Sequence, residues 1–286
     1  MMRKLLFLFL FVGLLSVPSF ASTLLYGDNA TGGAPYIYQI DPTTGNILNT
    51  YTNLSGTNGR GVVVVGNIMY YTTAFSNNVY KYDLSTSTSL GVAFSVAGSS
   101  GLSTMAYDGT NFWIGDYSGT NHAYLYSPTG TLLKTISLAD CTGYCDGLEF
   151  FKQGGQGFLI SNEVDGCCGG TPVKYDVYDL NGNLVTPDLI SNPLDSTGIA
   201  WDGTHFWTSN IDNASVSEWN MNGTFVQTLA LSGAPPGYSP LIEDLSFNYS
   251  QTLTTPEPST CFLLLVGLVG VACFARRRAA GPLTLG

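Results

Sequence analysis

Three observations predict that the chain is all-β and folds as a five-bladed β-propeller. An eight-residue sequence recurs at a multiple of a blade's length, a strand–turn–strand pattern returns every 41 to 52 residues, and an incomplete blade at one end of the repeat is matched by a spare strand at the other. Composition agrees with this reading. With 34 Gly, 13 Pro, 13% aromatic and 44% apolar residues among 286, a coiled coil, a helical bundle and a disordered tail protein are all excluded.

The recurring sequence is Ala106-Tyr107-Asp108-Gly109-Thr110-Asn111-Phe112-Trp113, which returns 94 residues later as Ala200-Trp201-Asp202-Gly203-Thr204-His205-Phe206-Trp207, two modules of 47. Degenerate copies are Leu148 to Phe151 with Phe158 to Ile160, and Val62 to Val65 with Ile68 to Tyr71. Each reads as strand, tight turn, strand.

A second hairpin follows each of these. Its first strand is Tyr38 to Ile40, Tyr80 to Tyr82, Tyr124 to Tyr126, Tyr175 to Tyr178 or Val216 to Trp219, ending at the turn formers Asp41, Asp83, Ser127, Asp179 and Asn220. Their intervals are 42, 44, 52 and 41 residues, and Gly45, Gly130, Gly182 and Gly223 stand nearby in four of the five. Asp, Ser and Asn bond their own backbone at a turn, while Gly supplies positive φ. Four strands per 40 to 50 residues is a propeller blade.

Leu24 to Asp28 begins in mid-blade, and the missing strand is expected at the far end as Glu243 to Phe247. Pairing the two closes the ring and leaves no free edge. A six-bladed ring with an unrecognised blade is the alternative; a β-sandwich does not repeat at this spacing. Trp113 and Trp207, at strand-periodic places, are assigned to packing between blades rather than to ligand contact.

Both ends differ from this middle. Met1 to Lys4 is a short positive start, Leu5 to Leu15 is apolar but for Gly13, and Ser19-Phe20-Ala21 is a small-x-small cleavage site, so residues 1–21 read as a secretory signal peptide. The propeller is placed at 22–250, a linker at 251–260, an apolar helix with an Arg cluster at 261–278, and a short tail at 279–286. The apolar stretch from Cys261 to Ala275 spans about 22 Å as a helix, short of a ~30 Å hydrocarbon core, so as a transmembrane helix it thins the bilayer or snorkels its flanks. The arginines after it are held on the cytoplasmic side, leaving the propeller outside.

Pro256-Glu257-Pro258, the apolar helix and Arg276-Arg277-Arg278 occur in that order. Together they resemble the PEP-CTERM sorting signal of Gram-negative bacteria. The resemblance implies recognition by an exosortase, a membrane cysteine protease that cleaves near Pro256-Glu257-Pro258, and an association with exopolysaccharide and biofilm. It places the protein in the envelope, at the cell surface or in the extracellular matrix. Ala279 to Gly286 extend past the point where the family usually stops, and an uncleaved single-pass anchor is the alternative.

Residues 22–255 hold five Lys and Arg against 19 Asp and Glu, a formal charge of −14. Such a surface repels phosphate backbones and excludes nucleic acid as a partner. The link into blade four contains Cys141 and Cys145, and its second loop on the same face contains Cys167 and Cys168. In an oxidising compartment the four read as two disulfides of undetermined pairing; one zinc held by four thiolates is the alternative. Cys261 and Cys273 lie in the apolar segment and act as small hydrophobes.

A polar residue follows the second strand of every blade: Asp28, Thr73, Asp116, Asn162 with Glu163, and Asn210. Fivefold placement puts them around the channel mouth, with Asp146, Glu243 and Asp244 entering from first strands. Hard oxygen donors in an acidic domain suit Ca²⁺ as a candidate cofactor; loop-starting Asp and Asn are the simpler explanation. Adjacent strand residues point to opposite faces, so Glu243 and Asp244 are not one dyad. His205 is placed in a hairpin turn and His122 in a loop, and no nucleophile motif accompanies them. The expected function is an exported, non-catalytic binding or structural propeller, whose partners are a sorting exosortase, exopolysaccharide or a surface protein, and the membrane before processing. The alternative is a divalent-metal-dependent hydrolase or lyase acting on a sugar or lactone.

Overall fold

The computed structural model describes residues 24–29, 36–52, 54–55, 58–116, 120–141, 145–163 and 172–252. The signal peptide, Pro256-Glu257-Pro258, the apolar helix, Arg276 to Arg278, and Cys167 with Cys168 lie outside the described residues. Among the described residues no helix is long and apolar enough to cross a membrane.

The described residues form five four-stranded antiparallel sheets. Blade 1 is β20 (Ile242–Phe247), β1 (Leu25–Asn29), β2 (Ile37–Ile40) and β3 (Ile47–Tyr51). Blade 2 is β4 (Gly59–Val65), β5 (Ile68–Thr73), β6 (Asn78–Asp83) and β7 (Thr88–Ser95). Blade 3 is β8 (Leu102–Tyr107), β9 (Phe112–Asp116), β10 (His122–Tyr126) and β11 (Leu132–Ser137). Blade 4 is β12 (Leu148–Gln153), β13 (Gln156–Glu163), β14 (Pro172–Asp179) and β15 (Leu184–Leu194). Blade 5 is β16 (Ile199–Trp201), β17 (His205–Ser209), β18 (Ser215–Asn220) and β19 (Phe225–Ala230), and a short helix, α1 (Tyr249–Thr252), follows β20.

The ring is five-bladed, and its closure is the one expected. β20 pairs with β1, Leu25 opposite Phe247 and Gly27 opposite Leu245. The closing strand also bonds sideways into blade 2: the Val64 amide donates to Ser246 Oγ at 3.2 Å and the Gly66 amide to Asn248 Oδ1 at 3.0 Å. First strands β20, β4, β8, β12 and β16 contact one another in sequence around the axis.

Apolar residues fill the seams between blades. Trp113 packs with Leu148, Phe150 and Leu159 between blades 3 and 4, and Trp207 with Leu25, Tyr38 and Phe247 between blades 5 and 1. The remaining seams hold Val63, Phe94 and Phe112; Phe151, Ile199 and Phe206; and Tyr26, Tyr51 and Tyr71. Each blade thus supplies two faces to two different cores, which is why both faces of its inner strands are apolar.

The second-hairpin turns also touch the preceding blade. A Cβ on Gly182 would stand 2.1 Å from the Ser137 carbonyl, and one on Gly223 1.6 Å from the Leu189 carbonyl, at φ of 86° and 78°. Blade 2 lacks this glycine, and Ser87 adopts the left-handed φ of 52° in its place. The turn-opening side chains cap as expected: Asp41, Asp83 and Asp179 each accept the amide two residues on at 2.8 Å. His122 departs from expectation, since it begins β10 opposite Ser137 rather than lying in a loop.

Candidate functional site

β4 carries Arg60 into the centre of the ring, between two glycines whose missing side chains admit Asp28 on one side and Thr72 and Ser103 on the other. The guanidinium donates to Glu243 Oε1 from β20 and lies 4.0 Å from Asp146 Oδ2. Asp28 adjoins them; a Cβ on Gly59 would fall 1.8 Å from Asp28 Oδ1. Three carboxyls therefore gather around one fixed cation.

Burial governs their charge. It raises Asp28 well above the usual carboxylate range, reinforced by the negative charge of Glu243 and opposed by Arg60. Burial pushes Asp146 up to about 6 and Glu243 up to about 7, each opposed by Arg60. Oδ2 of Asp28 and Oδ1 of Asp146 are buried without a hydrogen-bond partner among the described residues, which favours the protonated form.

Asp244, one residue on, points elsewhere. Its Oδ2 accepts the Val62 amide at 3.1 Å, the Thr104 hydroxyl at 3.1 Å and the Met105 amide at 3.3 Å, tying blade 1 to blades 2 and 3. Thr104 in turn accepts the Leu148 amide of blade 4 at 3.0 Å. Glu149 repeats the device: it accepts Phe150 N at 2.6 Å, Trp201 N of blade 5 at 3.3 Å and the Tyr249 hydroxyl at 2.5 Å, with burial raising it to about 8.

The other residues expected at the mouth turn to local bonds. Asp116 accepts from Ser99, Thr120 and Tyr124, Asn162 accepts the Gly147 amide at 2.7 Å, and Asn210 caps its own loop through Asp212 N and Asn213 N while donating to Leu194 O. Asp28 and Asp146 come together; Asp244 stands on the same strand as Glu243 but is spent on two backbone amides and the Thr104 hydroxyl. Thr73 is buried at the end of β5. Arg60 and Glu149 escaped notice in the sequence. Their signal was there: a lone charge inside Gly-Arg-Gly-Val-Val and Leu-Glu-Phe-Phe has no solvent to face and needs a partner.

A groove of about 440 Å³ runs between blades 4 and 5 from Asn210 to Phe225. Thr208, Asn210, Ser217 and Thr228 line it with Trp219 and Phe225, and every described lining residue is uncharged. Trp219 is fixed by Nε1 donating to Thr208 Oγ1 at 2.9 Å and by a T-shaped contact with Phe225, whose ring is 53% exposed. On blade 4, Cys141 and Cys145 form a disulfide with Cα atoms 6.2 Å apart, which removes a zinc site built from all four thiolates.

Residues 254–279 match the PEP-CTERM protein-sorting motif. The motif marks a substrate of an exosortase and implies export to the cell envelope or surface. No curated protein matches the chain. Its fold is similar to that of a chain in the crystal structure of a nidogen/laminin complex, at 11% identity and a TM-score of 0.55, covering 80% of this chain and 99% of that one. Lower similarity is found to the glutaminyl cyclase of Myxococcus xanthus, at 13% identity and a TM-score of 0.46 over 72% of this chain and 74% of that one.

Proposed function

We propose that the propeller is a non-catalytic binding module, delivered to the surface of a Gram-negative cell by its sorting signal, that holds a neutral polysaccharide of the exopolysaccharide matrix. The groove between blades 4 and 5 carries this reading. Hydroxyls and an amide beside an exposed aromatic ring suit a sugar, which offers hydroxyls to hydrogen-bond and an apolar ring face to stack. The formal charge of −14 over residues 22–255 selects against an acidic polymer.

The centre supports the absence of catalysis. Asp244, Glu149 and Glu243 are engaged in bonds between blades.

Calorimetric titration of the full chain with the host's own exopolysaccharide, with and without Ca²⁺, tests the proposal. Saturable binding, indifferent to Ca²⁺ and without release of new reducing ends, is the expected result. Absence of saturable binding would overturn the reading, and fragments released only with the divalent ion would favour the hydrolase or lyase.

A further inference from the structure

We propose that Asp202, His205 and Glu218 form a site for one divalent transition-metal ion of the zinc class, on the face of blade 5 opposite the groove. Glu218 and Trp219 are neighbours in β18 and point to opposite faces of the sheet, so the trio and the groove lie back to back across blade 5.

The donor geometry fits such an ion. His205 Nδ1 lies 3.3 Å from Glu218 Oε1 and 3.7 Å from Asp202 Oδ2, and the three donor atoms lie within 4.8 Å of one another. Ligands about 2.1 Å from a tetrahedral ion stand roughly 3.4 Å apart. Both carboxylates are oriented through other bonds. Asp202 Oδ1 accepts Thr204 N and His205 N, each at 2.7 Å, and Oδ2 accepts Trp207 Nε1 at 3.0 Å. Glu218 Oε2 accepts Gln227 Nε2 at 2.7 Å, which turns Oε1 toward the imidazole. Outer hydrogen bonds of this kind fix ligands in metal centres. One nitrogen and two oxygens suit a borderline ion better than Ca²⁺ or Mg²⁺, which favour six or more oxygens. Asp202, Glu218, Trp207 and Gln227 also line a cavity of about 460 Å³ shared with Thr43 and Phe247 of blade 1, which leaves space for water or a further ligand on the ion.

Blade 3 provides an internal comparison. Its copy of the turn has the same geometry, with Asp108 Oδ1 accepting Thr110 N at 2.8 Å and Asn111 N at 2.7 Å. Asn111 stands there in the place of His205. Opposite Trp113 lies Leu125, whereas opposite Trp207 lies Glu218. The turn thus forms without the imidazole or the second carboxylate, and the fold does not account for their presence in blade 5.

The experiment is titration of the full chain, purified in detergent, with ZnCl₂, followed by Co²⁺ absorption at the same site. The wild type is expected to take up one equivalent with a Kd in the micromolar range or below. His205→Asn with Glu218→Leu copies blade 3; it should keep its Tm and bind Zn²⁺ at least a hundredfold more weakly. The reverse transfer, Asn111→His with Leu125→Glu, should add a second equivalent. No uptake by the wild type, or uptake unchanged in His205→Asn, would overturn the site.

Discussion

Asp244 on the closing strand accepts the hydroxyl of Thr104, 140 residues earlier and two blades away, at 3.1 Å. The same oxygen takes the amides of Val62 and Met105, so one carboxyl joins three blades at the centre of the ring. Asp244→Ala strands those amides in a dry interior and should cost about 3 kcal/mol or more by denaturant titration. Burial raises the Asp244 carboxyl well above its usual range, so Asp244→Asn, neutral and of the same shape, should cost less than half as much. Equal losses in the two variants would mean that the charge, not the acceptor geometry, is what matters.

Stability should fall as pH rises. Glu149 is raised to about 8, Glu243 to about 7 and Asp146 to about 6, so the folded chain retains protons that the unfolded chain releases near pH 4. The stabilisation is fully present below about pH 4 and is lost as pH passes through 6 to 8. Each pKa unit corresponds to ~1.4 kcal/mol, or roughly 3 °C for a domain of this size. Melting curves between pH 5 and 8.5 should show a fall on the order of 10 °C. Glu149→Gln, which cannot ionise, should remove part of that fall; a Tm that instead rises with pH contradicts the assignment.

Gly223 holds φ 78° against the Leu189 carbonyl of blade 4. Gly223→Ala incurs both the left-handed conformation and a backbone clash, so it should cost about 2 kcal/mol or more. In blade 2, Ser87 holds the corresponding strained φ, and Ser87→Gly should stabilise by about 0.5–1 kcal/mol. Thermal melts of both variants, with opposite signs, check the reading.

The Cys141–Cys145 bridge closes a short loop, for which chain entropy gives about 2 kcal/mol. Cys141→Ser with Cys145→Ser should lower Tm by roughly 4–8 °C, given 2–4 °C per kcal/mol for a domain of this size, and leave polymer binding intact. Lost binding at unchanged Tm would place the bridge at the binding surface.

The fold was legible because each blade repeats its own punctuation. Asp and Gly mark the turns, and the unpaired Leu24 to Asp28 and Glu243 to Phe247 declare the closure. The chemistry was less legible, because it depends on which side chains converge. Asp28, Asp116, Asn162 and Asn210 occupy similar strand ends, yet Asp28 alone of the four joins the Arg60 cluster, since Ser99, Gly147 and Leu194 engage the others locally. The Asp202, His205 and Glu218 trio was hidden for the same reason: Glu218 is 16 residues from Asp202, and only the register of β17 against β18 brings it to the turn.

On the proposed function, binding lies at the rim while the centre fastens the blades. Its most direct test is to titrate exopolysaccharide into Phe225→Ser and Glu243→Gln chains and to record Tm for each. Phe225→Ser should weaken binding at least tenfold at nearly unchanged Tm, and Glu243→Gln should shift Tm while affinity stays within about twofold. Binding lost in Glu243→Gln and retained in Phe225→Ser would contradict it.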